Sequence, residues 1–238
     1  MKIAGLMYSS RRSLIDPQHL EERLDGIRRA MQLTRRLGTE PLLIRCGRIP
    51  DPQVSAPPTE IALDRPAEDA GNPFAFAAPT KRPAISDADR FSLLCEILND
   101  LAGHASHLGC RLQLLMTEFH LNRIQTLINA IPSGGIQLVF DPATCLMTGS
   151  QPVSVFRDLY QHVGYIRARD ADKDVDGAGI ETAPGAGSVD WEELLPTFAE
   201  ADFPGWICVE RTGGDNRAED VSCGVTRFRQ LAPLPPSQ

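Results

Sequence analysis

The chain has 238 residues, 24 of them basic and 31 acidic, which gives a formal net charge of −7 at pH 7. That balance excludes a sequence-independent nucleic-acid binder, because neutralising phosphates needs a basic surface. Hydrophobic residues at 42% and charged residues at 23% exclude a disordered chain, and no apolar run approaches the ~20 residues of a membrane span.

The first residues, MKIAGLMYSSRR, are an apolar run of a few residues and then a pair of arginines. They lack the ~7–15-residue apolar core of a signal peptide. Cys46, Cys95, Cys110, Cys145, Cys208 and Cys223 form no CxxC pair. They are expected to be reduced, buried thiols in a cytoplasmic protein, not a disulfide frame.

Strand and helix signals alternate along the chain. Residues 2–8 (KIAGLMY) read as a strand. Asp16-Pro17 supplies an N-cap residue and a proline at the first helical position, and Leu20, Leu24, Ile27 and Met31 then recur at helical spacing up to a C-cap at Gly38. Residues 41–46 are the next strand, and a helix from about Ser86 to Leu108 carries Phe91, Leu94, Leu98 and Leu101 on one face. Strands at 110–118, 136–141, 164–170 and 205–211 then alternate with helices at 120–131, 152–163, 188–201 and 218–231. Short apolar strands separated by helices predict parallel βαβ units buried on both faces.

Two segments break this rhythm. Residues 48–85 are rich in proline, alanine and acidic side chains and too long for an ordinary connection. They join a strand to the next helix, so they are expected at the C-terminal edge of the sheet, either as a disordered insertion or as a lid over a site. Residues 171–187 (ADKDVDGAGIETAPGAG) are a second strand-to-helix loop on the same face.

Chemistry concentrates at strand ends. Glu118, Asp141, Asp170 and Glu210 close four consecutive predicted strands. In a parallel barrel those ends converge on one cavity, and clustered carboxylates need a balancing charge. A hard divalent cation is one solution; an arginine or a raised carboxyl pKa is the other. Arg167 lies three residues before Asp170; Arg169 is expected to turn to the opposite face, so that one of the two arginines faces the interior.

From 136 to 211 the residues resemble the sugar isomerase/epimerase superfamily with the xylose-isomerase-like TIM barrel. The likeness rests on a glutamate ending one strand, FDPAT (140–144) before a helix, ARDA (168–171) ending a strand, the Gly-x-Gly-x-Val-Asp-Trp run from Gly185 to Trp191, and the closing FPGWICVE (203–210). SSRRSL (9–14) and GRIP (47–50) also look family-like. The resemblance covers most of the chain outside 51–85 and implies a single domain over 1–238 with the insertion at 48–85.

The resemblance implies a divalent metal, Mg²⁺ or Mn²⁺, held by Glu118, Asp141 and Glu210, with a histidine as the fourth ligand. Arg167 stands at that histidine position, and a guanidinium has no lone pair to donate. Thr144 stands where relatives often carry a second histidine. Glu118 and Glu210 would form the acid/base pair that moves a proton next to a sugar carbonyl. Arg167 would contact a substrate oxygen or replace the metal. The implied substrate is a small polyol, keto sugar or sugar acid, with Thr144, Asp170, Arg211 and Arg217 as further contacts. Arg211 and Arg217 flank the glycine-rich TGGDN (212–216) after the last strand, where barrels often bind phosphate. A lyase or dehydratase on the same site is an alternative, and so is a catalytically degenerate barrel that binds a small anion or a partner protein.

Counting strands gives six, whereas a closed barrel has eight. Aligned from the C-terminus these are the third to eighth, so the first two βα units are missing. Open sheet edges invite pairing. Either the true start lies upstream of Met1, or a second copy of the chain covers the edges.

Overall fold

The computed structural model of the protein describes residues 2–55, 85–131, 135–173 and 179–231. Most of the expected insertion, residues 56–84, lies outside the described residues. The described residues form eight strands: β1 (Leu6–Tyr8), β2 (Pro41–Gly47), β3 (Arg111–Met116), β4 (Ile136–Phe140), β5 (Val163–Ala168), β6 (Asp170–Lys173), β7 (Gly179–Thr182) and β8 (Trp206–Val209). The helices are α1 (Leu20–Arg36), α2 (Asp87–Leu108), α3 (Leu121–Ala130), α4 (Pro142–Met147), α5 (Pro152–Leu159), α6 (Trp191–Glu200) and α7 (Arg217–Leu231).

Six strands form one parallel sheet in the order β1-β2-β3-β4-β5-β8. The six-unit (β/α) architecture predicted from the alternation is therefore the observed one. Within the described residues β1 and β8 are the two edges and do not pair.

Alternation along the strands sorts side chains into two layers. Leu42, Ile44, Leu112, Leu114, Leu138, Phe140 and Ile166 belong to the main core beneath the helices. There Phe140, Phe156 and Phe198 make edge and tilted ring contacts with centroids 4.6–6.1 Å apart. The other face carries a separate apolar layer of Leu43, Leu115, Val139 and Tyr165, with Ala4 and Cys208 against it. Toward the N-terminal ends of the strands that face turns polar at Gln113 and Gln137, whose amides bond at 3.2 Å. Toward the C-terminal ends it turns charged, with Arg45, Asp141, Arg167 and Glu210 in phase with the apolar layer.

Helix ends account for several boundaries. Gly38 has φ 73°, and the bonds Gly38 N–H to Arg35 O and Thr39 N–H to Thr34 O close α1 in a Schellman motif, as its glycine predicts. The start of α1 differs from the Asp16-Pro17 expectation. Asp16 accepts from the Gln18 N–H and from Arg12, both at 2.9 Å, and buried Arg23 reaches back to the carbonyls of Leu14, Asp16 and Gln18. This local network holds residues 14–18 as a turn, so α1 begins at Leu20.

Residues 171–187 are also not a plain loop. β6 and β7 pair antiparallel, Asp170 with Thr182 through Lys173 with Gly179, as a hairpin that packs on α4. All six cysteines are free thiols; Cys46, Cys110 and Cys145 are buried as expected, but Cys95 and Cys208 are half-buried and Cys223 is exposed on α7.

Candidate functional site

Asp141 ends β4 and caps α4: its Oδ1 accepts the Thr144 N–H at 3.1 Å. Its Oδ2 accepts from Arg169 Nη1 at 2.8 Å and from Arg167 Nη1 at 3.4 Å. The carboxylate is fully buried, so this double pairing offsets a desolvation cost that would otherwise be several kcal/mol. Arg167 projects from β5, the strand between β4 and β8, and meets Glu210 on the far side. Glu210 Oε2 accepts Arg167 Nε at 2.8 Å, and Arg167 Nη2 stands 2.7 Å from the same oxygen. No hydrogen bond or ion pair of the described residues engages Glu210 Oε1.

Arg169 is not turned to the opposite face: residues two apart along a strand share a side, and Arg169 joins Arg167 on Asp141. β5 ends at Ala168 and β6 begins at Asp170, so Arg169 sits in a break between strands, and its N–H bonds back to Arg167 O at 2.8 Å. The kink turns both arginines onto Asp141. Arg169 also donates through Nε to Glu181 at 2.9 Å and through Nη2 to Thr212 at 3.2 Å. Glu181, on β7, additionally accepts the N–H groups of Thr212 and Gly213 and the Thr212 hydroxyl. Burial raises the Glu181 carboxyl, but the bonds from Arg169 and Thr212 outweigh it and hold the group down at about 2.

The sequence-predicted residues do not all assemble. Asp141, Arg167 and Glu210 come together as one network, with Thr144 attached through its N–H. Glu118 has a different set of neighbours: Arg48 at 3.6 Å, Arg123 at 3.9 Å and His120 at 3.4 Å. Its Oε1 is buried without a hydrogen-bond partner. No hydrogen bond or ion pair among the described residues links Glu118 to Asp141, Arg167 or Glu210.

Asp170, expected among the substrate contacts, is instead fully buried and organises the segment before α6. Its carboxylate accepts the N–H groups of Ala171, Gly185, Gly187 and Val189 and the Trp191 indole N–H. Arg211 turns to Asp220 at 3.2 Å and to Glu181 at 3.8 Å. Arg217 is exposed at the start of α7. The N–H groups of Thr212 and Gly213, in the glycine-rich loop that Arg211 and Arg217 flank, face Glu181. Arg169 and Glu181 were not foreseen as site residues. The signal for Glu181 lies in GIET (179–182), a strand-like tetrapeptide inside a glycine-rich segment.

The arrangement does not fit a divalent cation. Among the described residues no group of three His, Cys, Asp or Glu side chains is placed to hold a metal. Both Asp141 oxygens already accept N–H donors, two guanidinium groups stand on Oδ2, and Glu210 faces the same Arg167. A cation there would meet two positive neighbours, Arg167 and Arg169, before it met three ligands.

A family profile described as xylose isomerase-like TIM barrel matches residues 2–231. The chain is 24% identical over 101 residues to an inosose dehydratase of Clostridium botulinum, which covers 37% of this chain and 34% of that one. Among solved structures it resembles a xylose isomerase-like TIM barrel protein from Mycobacterium smegmatis in complex with magnesium, with a TM-score of 0.69 and 16% identity over 97% of this chain and 73% of that one. It also resembles the 3-keto-D-glucoside 4-epimerase YcjR from E. coli, at TM-score 0.68 and 15% identity over 97% of this chain and 80% of that one. Its matches span from 34% to 52% of the length of the curated relatives. Its relatives thus include sugar-modifying enzymes, and one of the similar structures was solved with magnesium. The chain itself belongs to the xylose isomerase-like TIM barrel family.

Proposed function

We propose that the protein acts on a small keto sugar or sugar acid by moving a proton at the carbon next to the carbonyl, with arginines in place of a metal. One observation carries this reading: Arg167 clamps Oε2 of Glu210 with Nε and Nη2 at the C-terminal end of the sheet and leaves Oε1 open. A carboxylate held on one oxygen presents the other in a fixed direction, as a general base needs.

Glu210 Oε1 takes the proton from the carbon, and the electron pair moves onto the carbonyl oxygen. Arg167 has five N–H groups, and three stand toward Glu210 and Asp141, so two remain to stabilise that oxyanion. Glu210, now protonated, can return the proton to the neighbouring carbon, which isomerises; a proton taken from water on the opposite face epimerises the carbon instead. Where a neighbouring hydroxyl leaves, it takes the proton that Glu210 removed and departs as water. Both a dehydratase and an epimerase among the relatives fit this shared first step. The divalent metal of other family members has no step here, because the donor set is closed by Arg167 and Arg169.

A second reading, a non-catalytic anion binder, is favoured by the arginine pairing of Asp141 and Glu210. Exchange of substrate C–H for deuterium in D₂O, followed by NMR on keto sugars and sugar acids, separates the two. The proposal expects exchange that survives chelator and falls by about 10²–10⁴-fold in Glu210→Gln. Exchange absent from every substrate, with ligand binding retained, would support the anion binder.

A further inference from the structure

We infer that Arg45, with the hydroxyls of Thr117 and Thr144, forms an anion subsite, so that the substrate of the proposed reaction carries a carboxylate or phosphate at the end remote from its reacting carbon. The inference rests on the functional reading above and specifies the substrate class for it.

Arg45 lies on β2 in phase with Leu43, two residues along on the inner face, and pairs in register with Leu115. The ladder shifts immediately afterwards, between Arg45 and Gly47, where Gly47 takes φ 86°. Such a bulge ends the pairing and re-aims the side chain at a sheet rim. Arg45 therefore stands on the inner face at the C-terminal end, one layer above the apolar side chains.

Most other arginines at this end have carboxylate neighbours within the chain: Arg48 and Arg123 with Glu118, Arg167 with Asp141 and Glu210, Arg169 with Asp141 and Glu181, and Arg211 with Asp220 and Glu181. Arg11 and Arg217 have none among the described residues, but they lie on exposed segments after β1 and β8 and not on the inner face of a strand. Arg45 takes part in no hydrogen bond or ion pair of the described residues. It borders a cleft of about 290 Å³ with Leu115, Thr117, Thr144, Met147 and Thr148. The hydroxyls of Thr117 and Thr144 are not engaged by other described residues, whereas the Thr148 hydroxyl bonds to the Thr144 carbonyl at 2.7 Å. A guanidinium and two free hydroxyls offer donors only to an acceptor-rich group, and the charge selects an anion.

The cleft is joined to the catalytic network. Thr144 borders it, and the Thr144 N–H is the group that Asp141 caps at 3.1 Å. β2 and β5 are three strand steps apart, about 14 Å along the sheet at ~4.8 Å per step. Glu210, after β8, is one step further, about 19 Å from β2 by the same spacing, so an extended ligand anchored at Arg45 would run along the inner face toward Arg167 and Glu210.

Calorimetric titration of D-gluconate, D-glucose 6-phosphate and myo-inositol into wild type, Arg45→Gln and Arg45→Lys tests the subsite, with thermal unfolding as the check on folding. Wild type is expected to bind at least one anion about tenfold or more tightly than the neutral polyol. Arg45→Gln is expected to weaken anion binding by roughly 10–100-fold, leaving myo-inositol unchanged, and Arg45→Lys to retain part of the preference. Preference for gluconate identifies a carboxylate as the anchored group, and preference for the sugar phosphate a phosphate. Equal binding of anions and polyol by wild type, or a preference that persists in folded Arg45→Gln, overturns the subsite. Arg45-dependent anion binding with no C–H exchange in any ligand keeps the subsite and refutes the proton-transfer reading; no binding of any of the three refutes both.

Discussion

Asp170 is the residue whose role changes most between sequence and structure, and its substitution has a calculable consequence. Its side chain is fully buried. Oδ1 accepts from Ala171 N at 2.8 Å and Val189 N at 3.1 Å; Oδ2 accepts from Gly185 N at 2.9 Å, Gly187 N at 3.1 Å and Trp191 Nε1 at 2.9 Å. Asp170→Ala strands five donors, each costing about 1–3 kcal/mol if left dry. Rehydration of the 183–189 segment relieves part of that, so the expected loss is roughly 3–5 kcal/mol, a large share of the ~5–15 kcal/mol of a typical domain. Asp170→Asn retains one accepting oxygen but turns an N–H₂ onto two or three N–H groups, and roughly 2–4 kcal/mol is expected. Urea unfolding with linear extrapolation measures both losses. In a Trp206→Phe background, emission reports Trp191 alone, since the chain has two tryptophans, and should shift to the red as the indole loses its acceptor. An Asp170→Asn protein within 1 kcal/mol of its parent, with unchanged Trp191 emission, would refute the anchoring role. If stability held while ligand binding fell, Asp170 would be a substrate contact after all.

Glu181 and Gly205 give two further tests. The Glu181 carboxyl is depressed to about 2 in the fold, so its contribution is present above the unfolded value near 4.5 and is lost as pH falls between the two. Discounted for solvent screening, that contribution is about 1–2 kcal/mol. Melting curves of wild type and Glu181→Gln should therefore converge from pH 5 to pH 2, and curves that stay parallel would show that Glu181 carries no such linkage. At Gly205, a Cβ would collide with the Gly164 carbonyl and the Phe203 ring. The first obstacle is backbone and cannot rotate away, so Gly205→Ala should separate β5 from β8 and cost about 1–3 kcal/mol by urea unfolding, where a loss under 0.5 kcal/mol would contradict the close approach.

The fold was legible because its information is local. Apolar runs such as LLIRC (42–46) and LQLLM (112–116), helix stops at Gly38 and Gly109, and Ser86 as N-cap of α2 each act within a few residues. The candidate site was legible where a strand end alone decides the placement: Asp141 and Glu210 stand in phase with the inner layer. It was not legible where the chain leaves the strand. Thr117 keeps the inner-face phase after β3, so Glu118 falls on the alternate position, and it turns toward Arg48 and Arg123. Arg169 was expected on the face opposite Arg167, but residues two apart share a face, and both arginines meet Asp141. Glu181 needs the β6–β7 hairpin to bring it under the loop after β8, a long-range pairing that the glycine-rich composition concealed.

The same geometry explains why an arginine at position 167 is self-consistent. β5 lies between β4 and β8, so a long cation on β5 has one carboxylate on each flank, Asp141 to one side and Glu210 to the other. At a spacing of about 4.8 Å per strand both are within reach of a single planar guanidinium. A histidine there would be too short to engage both and would need a cation to hold the carboxylates apart. Arginine performs that separation itself, and Arg169 from the kink supplies the second charge that the fully buried Asp141 requires. With the carboxylates balanced inside the chain, the inner face keeps one cation unsatisfied among the described residues, Arg45 on β2. The charge that completes this end of the sheet is therefore a negative one brought by the ligand, where a metal-type site would instead take up a positive ion.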